Sequence, residues 1–200
     1  MNSMLERQIR AAYNDKTIRV YQAYNNEIAD TTLQKGKFVS PPFKIDRMTW
    51  IKTSFLWMMY RCGWGFKDNN QKRILAIDIN HEGFEWALTN ACLSHFDHRF
   101  YTSEQEWQQL KAKVPVVVQW DPEKDIYLNK LNYRSIQIGL SPIAVKLYIN
   151  DWIEKIEDIT SLCHTIHGKI ETDLNLAISL LPEEKIYTPS NISQLNIGLT

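Results

Sequence analysis

Long apolar runs are missing from this chain. No stretch approaches the roughly 18 residues that a membrane-spanning helix needs. The opening segment "MNSMLERQIRAAY" carries charges where a signal peptide needs an apolar run. A soluble, cytoplasmic protein without membrane contact is expected, and export by a signal not read from composition stays open. Net charge is missing too, since 23 basic residues balance 23 acidic ones. That excludes a general nucleic-acid binder, which needs a basic footprint to displace counterions, although a local basic patch stays open. Cysteine is scarce: Cys62, Cys92 and Cys163 are odd in number and far apart, so no disulfide framework is expected. No Walker loop, no Gly-x-Gly-x-x-Gly and no Gly-x-Ser-x-Gly occurs.

Aromatic residues are plentiful. They make up 12% of the chain, with seven Trp and nine Tyr. Such residues build cores, but they also line pockets and stack on rings. They concentrate in "MTWIKTSFLWMMYRCGW", Met48 to Trp64.

The hydrophobic pattern gives an order of elements. "TIRVYQAY" (Thr17–Tyr24) is rich in β-branched and aromatic residues and reads as a strand. "NNEIADTTLQKGKF" reads as a helix that Asn26 can cap and Gly36 can end. A helix follows from about Thr53 to Cys62, then a strand at "RILAIDIN" and a helix at "EGFEWALTNACLSHF". Ser103 and Glu106 form a capping box for the next helix. "VPVVVQW" reads as a strand, "DPEKD" as a turn and "YRSIQIGL" as a strand. Ser141 and Pro142 open helices that run through "AVKLYINDWIEKI" and on to "LNLAISLL". The result is an α+β fold: a single compact domain over residues 1–182, with a small mixed or antiparallel sheet, flanking helices and a C-terminal helical pair. Residues 183–200 read as a polar, loose tail.

On the helix of the aromatic segment, Phe55, Met58, Met59 and Cys62 make a buried stripe. Trp57, Tyr60, Arg61 and Trp64 fall at i, i+3, i+4 and i+7 on another side. Arg61 between two tryptophans suits a cation–π stack, or a surface that grips a planar ring and a phosphate together. A buried aromatic helix is the plain alternative. Arg47, Trp50, Lys52, Thr53 and Ser54 place two cations and two hydroxyls before the helix, where free N–H groups favour anions. Strand "VYQAY" sets Gln22 and Tyr24 on one face, and "RSIQIG" sets Ser135 and Gln137 opposite Arg134, Ile136 and Ile138. Two His-x-x-His pairs, His95/His98 after Cys92 and His164/His167 after Cys163, suggest zinc only weakly, because no further ligand pattern accompanies them. No metal site is expected. "QWDPEKD" offers Asp121, Glu123 and Asp125 after a strand, where catalytic carboxylates often lie and where simple turns also occur.

"IRVYQAY", "RMTWIKTSFLWMMYRCGW", "GFEWALTNACLSHF", "VQWDPEKD" and "YRSIQIGL" together resemble a bacterial and fungal family, of about this length, known only as a domain of unknown function. The resemblance spans Ile9 to Leu181 and implies no activity. More remotely, the order of elements is similar to ADP-ribosyltransferase-like domains. Those hold NAD between two small sheets, and NAD is the one cofactor this likeness implies. It would place Gln22, then Ser54 or Tyr60, then Gln137 in the positions of that site. Gln137 stands where a glutamate is expected, and a neutral amide stabilises a cationic transition state only weakly.

The expectation is therefore a pocket for a nucleotide-like ligand. Trp50, Trp57, Tyr60 and Trp64 would stack; Arg47, Lys52 and Arg61 would meet phosphate; Gln22, Tyr24 and Gln137 would form hydrogen bonds; Ser54 and Arg134 complete the expected ligand site. The alternative is an interaction module that docks a protein or a single-stranded nucleic acid on an exposed aromatic face. The sequence does not fix an oligomeric state.

Overall fold

In a computed structural model, the structure describes residues 6–192 and 195–199. Its elements run β1 (Arg10–Ala11), β2 (Thr17–Tyr24), α1 (Asn26–Lys35), β3 (Thr49–Lys52), α2 (Phe55–Cys62), β4 (Arg73–Asn80), α3 (His81–Thr89) and β5 (Ala91–Leu93). There follow α4 (Glu104–Lys111), β6 (Val116–Lys124), β7 (Lys130–Leu140), α5 (Pro142–Leu147), β8 (Ile153–Asp158), α6 (Thr160–Lys169), α7 (Leu174–Ser179) and β9 (Lys185–Ile186). The fold is α+β, as the sequence implies.

Seven strands form one mixed sheet in the order β5-β6-β7-β3-β2-β4-β8. All neighbours are antiparallel except β5 and β6. The larger core lies on one face, where Ile18, Val20, Ile51, Ile77, Ile138 and Val118 meet Phe84, Leu88, Val145 and Tyr148. The smaller core lies on the other face, where α2, α6 and α7 bring Phe55, Met59, Cys163, Ile166 and Ala177 onto Tyr21, Ile74 and Ala76. Strand alternation produces this division, because successive side chains point to opposite faces. Among the described residues no helix is long and apolar enough to cross a membrane.

Local signals placed several ends correctly. Gly36 ends α1 in the left-handed region at φ 68°, and the cap at its start is Asn25, one residue before the expected Asn26. Ser103 caps α4 by accepting the Glu106 amide.

Four local expectations are corrected. "DPEK" is no turn: β6 continues through Asp121, Pro122, Glu123 and Lys124, and the chain reverses after it, where Asp125 accepts the Asn129 amide. A register shift between Pro122 and Lys124 accommodates the proline within the ladder. "ACL" is not helical but is β5, parallel to β6. "IEKIED" is likewise a strand, because α5 ends in one π-helical turn, Tyr148–Trp152, that delivers the chain to the edge of the sheet. The tail is not loose where it is described. β9 pairs with β1, the Trp120 indole donates to the Ile197 carbonyl at 2.6 Å, and Ile197 is fully buried.

Candidate functional site

Three adjacent strands present a polar row on the face that carries the smaller core. Gln119 on β6 is the register partner of Gln137 on β7, and Gln137 is the partner of Lys52 on β3. The next row along the sheet is Val117, Gly139 and Trp50. Gln119, Gln137 and Lys52 of the first row and Trp50 of the second floor a cleft of about 800 Å³, within the size range of small-molecule sites. The segment from Pro42 to Met48 forms one wall; Met58 and Arg61 of α2, with Asn70 and Gln71, form the other.

The cleft is basic. Lys44, Arg47, Lys52 and Arg61 line it, against the single carboxylate of Glu27. Lys44 and Arg47 are exposed on the rim, and among the described residues Arg61 donates a hydrogen bond only to Gln71, at 3.5 Å. Lys52 lies on the floor and is 7% exposed. Its ammonium sits 5.1 Å from the centre of the Trp57 ring. Among the described residues Lys52 makes no ion pair and no side-chain hydrogen bond. Burial, helped by the charge of Arg61 and opposed by Asp121, pulls its pKa down to about 8.

Asp121 is the neighbouring carboxylate, and both its oxygens are occupied by amides. Gln119 donates to one at 2.8 Å and Gln137 to the other at 2.6 Å. Both amide groups are thereby fixed, with their carbonyl oxygens left as acceptors. Trp50 is half-buried, and Gly139 gives its ring room. A Cβ on Gly139 would come within 2.9 Å of Trp50 Cη2.

Seven of the twelve residues expected from the sequence line this cleft: Gln22, Tyr24, Arg47, Trp50, Lys52, Arg61 and Gln137. Gln22, however, is engaged at both ends. It donates to the Trp50 carbonyl at 3.0 Å and accepts from the Tyr148 hydroxyl at 2.9 Å, so it anchors β3 to the larger core. The other five lie outside the lining. Ser54 caps α2 by accepting the Trp57 amide and donates to Glu123 at 2.7 Å. Trp57 is buried and carries Lys52 on its face. Tyr60 is exposed and covered by the Lys124 ammonium at 3.6 Å. Arg134 points to the opposite face of β7 and donates to the Trp120 carbonyl at 3.0 Å.

Trp64 explains why the expected Trp57–Arg61–Trp64 ladder does not form. α2 stops at Gly63, which is left-handed at φ 57°, and Trp64 follows at φ 55°. The ring leaves the helix face and packs in the smaller core, 6.1 Å from Phe55 and 5.5 Å from His167. Two of the aromatic side chains of that set are interior, Trp57 and Trp64 at 7% and 3% exposed, whereas Tyr60 is 46% exposed.

Gln119 and Met58 were missed as cleft residues, and Asp121 was named only as one of three carboxylates after a strand. The signal for Gln119 is present in "VVVQW", where one amide interrupts an apolar strand at the phase of Val117. The two histidine pairs do not assemble a metal site. Among the described residues no three His, Cys, Asp or Glu are grouped to hold an ion. His164 instead stacks on Phe66 at 4.4 Å, and Cys163 is buried.

A family model described as "Domain of unknown function (DUF4291)" matches residues 8–187, which takes in every residue of the cleft. The chain belongs to that family. No curated protein matches it. Neither finding supports the remoter likeness to ADP-ribosyltransferase-like domains.

Proposed function

We propose that the cleft over β3, β7 and β6 binds a nucleotide-like anion, and membership of the family brings no activity that would name it further. Lys52 is the observation that carries this reading. A buried ammonium ordinarily has a carboxylate partner, because desolvating a lone cation is costly. Among the described residues no carboxylate pairs directly with Lys52, Asp121 being held by two amides, and the surrounding lining adds three more cations. A phosphate or carboxylate entering the cleft would supply the missing charge. The rim cations Lys44 and Arg47 favour its approach. Trp50 offers a half-buried ring that packs close against Gly139, and the carbonyl oxygens of Gln119 and Gln137 accept from an exocyclic amine or a ribose hydroxyl. The buried positions of Trp57 and Trp64 favour a cleft over a docking surface.

Thermal unfolding with ADP-ribose, NAD, ATP and GTP tests it. A ligand at about 100 times its Kd stabilises by about 2.7 kcal/mol, a rise of several degrees at this length. The rise should be lost in Arg47→Ala/Arg61→Ala and should fall with salt. No rise with any of the four overturns the proposal.

A further inference from the structure

We propose that Lys52 is a nucleophilic amine that condenses with the carbonyl carbon of an anionic aldehyde or 2-oxo acid held in the cleft. This rests on reading the cleft as an anion site and names the substrate class.

The geometry isolates the amine. β3 places Lys52 on the cleft floor between Gln137 on one neighbouring strand and Tyr21 on the other, each its register partner. Nothing accepts from its nitrogen among the described residues, so no bond must break before it reacts. The carboxylate that could neutralise it, Asp121, is held by the amides of Gln119 and Gln137. Trp57 shields the nitrogen from water on one side, and the cleft opens on another. Arg61 supplies a like charge on the adjacent helix, and Arg47 stands on the rim. A desolvated lysine beside a second cation is the environment that keeps an amine neutral near physiological pH. With its pKa near 8, about a tenth of Lys52 is unprotonated at pH 7, against well under a thousandth for an ordinary lysine.

The same two cations suit the substrate. An aldehyde or ketone bearing a carboxylate or phosphate would place its charge on Arg61 and Arg47 and its carbonyl carbon toward Lys52. The neutral nitrogen attacks that carbon, and the carbonyl π pair moves to oxygen, which takes a proton. The carbinolamine then loses its hydroxyl as water while nitrogen gives up a proton, leaving a C=N bond. Solvent in the open cleft supplies and takes up these protons. No oxidant or reductant is consumed.

The test uses the full chain with glyoxylate as the anionic aldehyde. Cyanoborohydride traps any imine as a stable secondary amine, and peptide mass mapping follows each lysine between pH 6 and 10. Lys52 should be modified at least about 10-fold faster than the exposed Lys44 and Lys67 at pH 7, with a midpoint near pH 8. Inorganic phosphate should slow Lys52 and leave Lys67 unchanged. Lys52→Arg should keep the cation and lose the adduct. Modification of Lys52 no faster than the exposed lysines overturns the proposal, and so does a rate that phosphate does not change. If Lys52 labels slowly while ADP-ribose still raises the melting temperature, the anion cleft stands and the amine falls. If Lys52 labels first and no nucleotide stabilises the protein, the amine stands and the nucleotide falls.

Discussion

The Glu184 carboxylate accepts the Phe55 amide at 2.6 Å, so a residue just past the last helix caps the first turn of α2. Burial pushes the Glu184 pKa up to about 8, and the charge of Glu123 raises it further while the Phe55 bond and Arg10 oppose this. Glu123 is raised as well, again chiefly by burial. Both carboxyls face the same end of α2, because Glu123 accepts from its cap, Ser54.

A pH dependence follows from Glu184. Its folded pKa lies above the unfolded value, so the folded state keeps a proton that the unfolded chain gives up. Stability is greatest below about pH 4.5 for this group and is lost as pH rises through 8. Between pH 5 and 8 the melting temperature should fall. Glu184→Gln keeps an acceptor for the Phe55 amide and removes the ionisation. Its melting temperature should therefore vary less over that window and exceed that of the unaltered protein at pH 8. Calorimetry at four pH values decides it; parallel curves for the two proteins would contradict the assignment.

Lys52 gives the opposite sign in a higher window. Its folded pKa is depressed from 10.5 to about 8, so below pH 8 folding must bury an ammonium. Stability from this group rises as pH climbs from 8 to 10.5. Lys52→Met keeps the aliphatic volume and removes the charge. At pH 7 it should be more stable by on the order of 2 kcal/mol, and the advantage should vanish near pH 10.5. Urea denaturation at pH 7 and pH 10 measures both. A less stable variant at pH 7 would mean that Lys52 has a partner in solution.

Much of this was legible in short-range signals. Alternation in β2 and β7 named their faces, and the N-caps of α1 and α4 fell within a residue of the structure. The cleft residues Arg47, Trp50, Lys52, Arg61 and Gln137 were found because a basic and aromatic composition marks anion and ring recognition. What failed depended on distant partners. Pro122 looks like a turn, but β7 pairs along that whole stretch and carries the strand through it. Ile153 to Asp158 continues a helical pattern, yet the pairing with β4 claims it. Trp64 fits a helical ladder until two successive left-handed residues turn it inward. Arg134 is a different case: period two had already set it opposite Gln137, so its inclusion in the same site ran against the strand's own phase.

Gly83 should resist substitution for packing reasons. It lies in the first turn of α3, and a Cβ there would stand 2.2 Å from Trp152 Cγ. Trp152 is 5% exposed and closes the π-helical turn Tyr148–Trp152, so it has little room to move. Gly83→Ala should cost about 1–3 kcal/mol despite the better helix propensity of alanine. The melting temperature would drop by several degrees. Equal or greater stability would show that the indole can shift.

Gly139 should matter for the ligand more than for the fold. A Cβ on it would meet Trp50 Cη2 and Val117 Cγ2 at 2.9 Å and Met48 Sδ at 3.0 Å. Val117 is held in the ladder between Gly139 and β5, whereas Met48 is 38% exposed and can swing away. The Trp50 ring is half-buried and borders open cleft, so it is the rigid neighbour with somewhere to go. Gly139→Ala should tilt that ring off the sheet and cost only about 1 kcal/mol in stability. The stacking face would then be displaced, and affinity for an aromatic anion such as ATP should fall by roughly 10-fold, the scale of one lost ring contact. Affinity for inorganic phosphate, which needs only the cations, should hold. Trp50→Ala should reproduce that split. Titration calorimetry of both variants with ATP and with phosphate reads it directly. Equal losses for the two ligands would mean that Trp50 shapes the cleft without stacking, and no loss for either would remove it from the site.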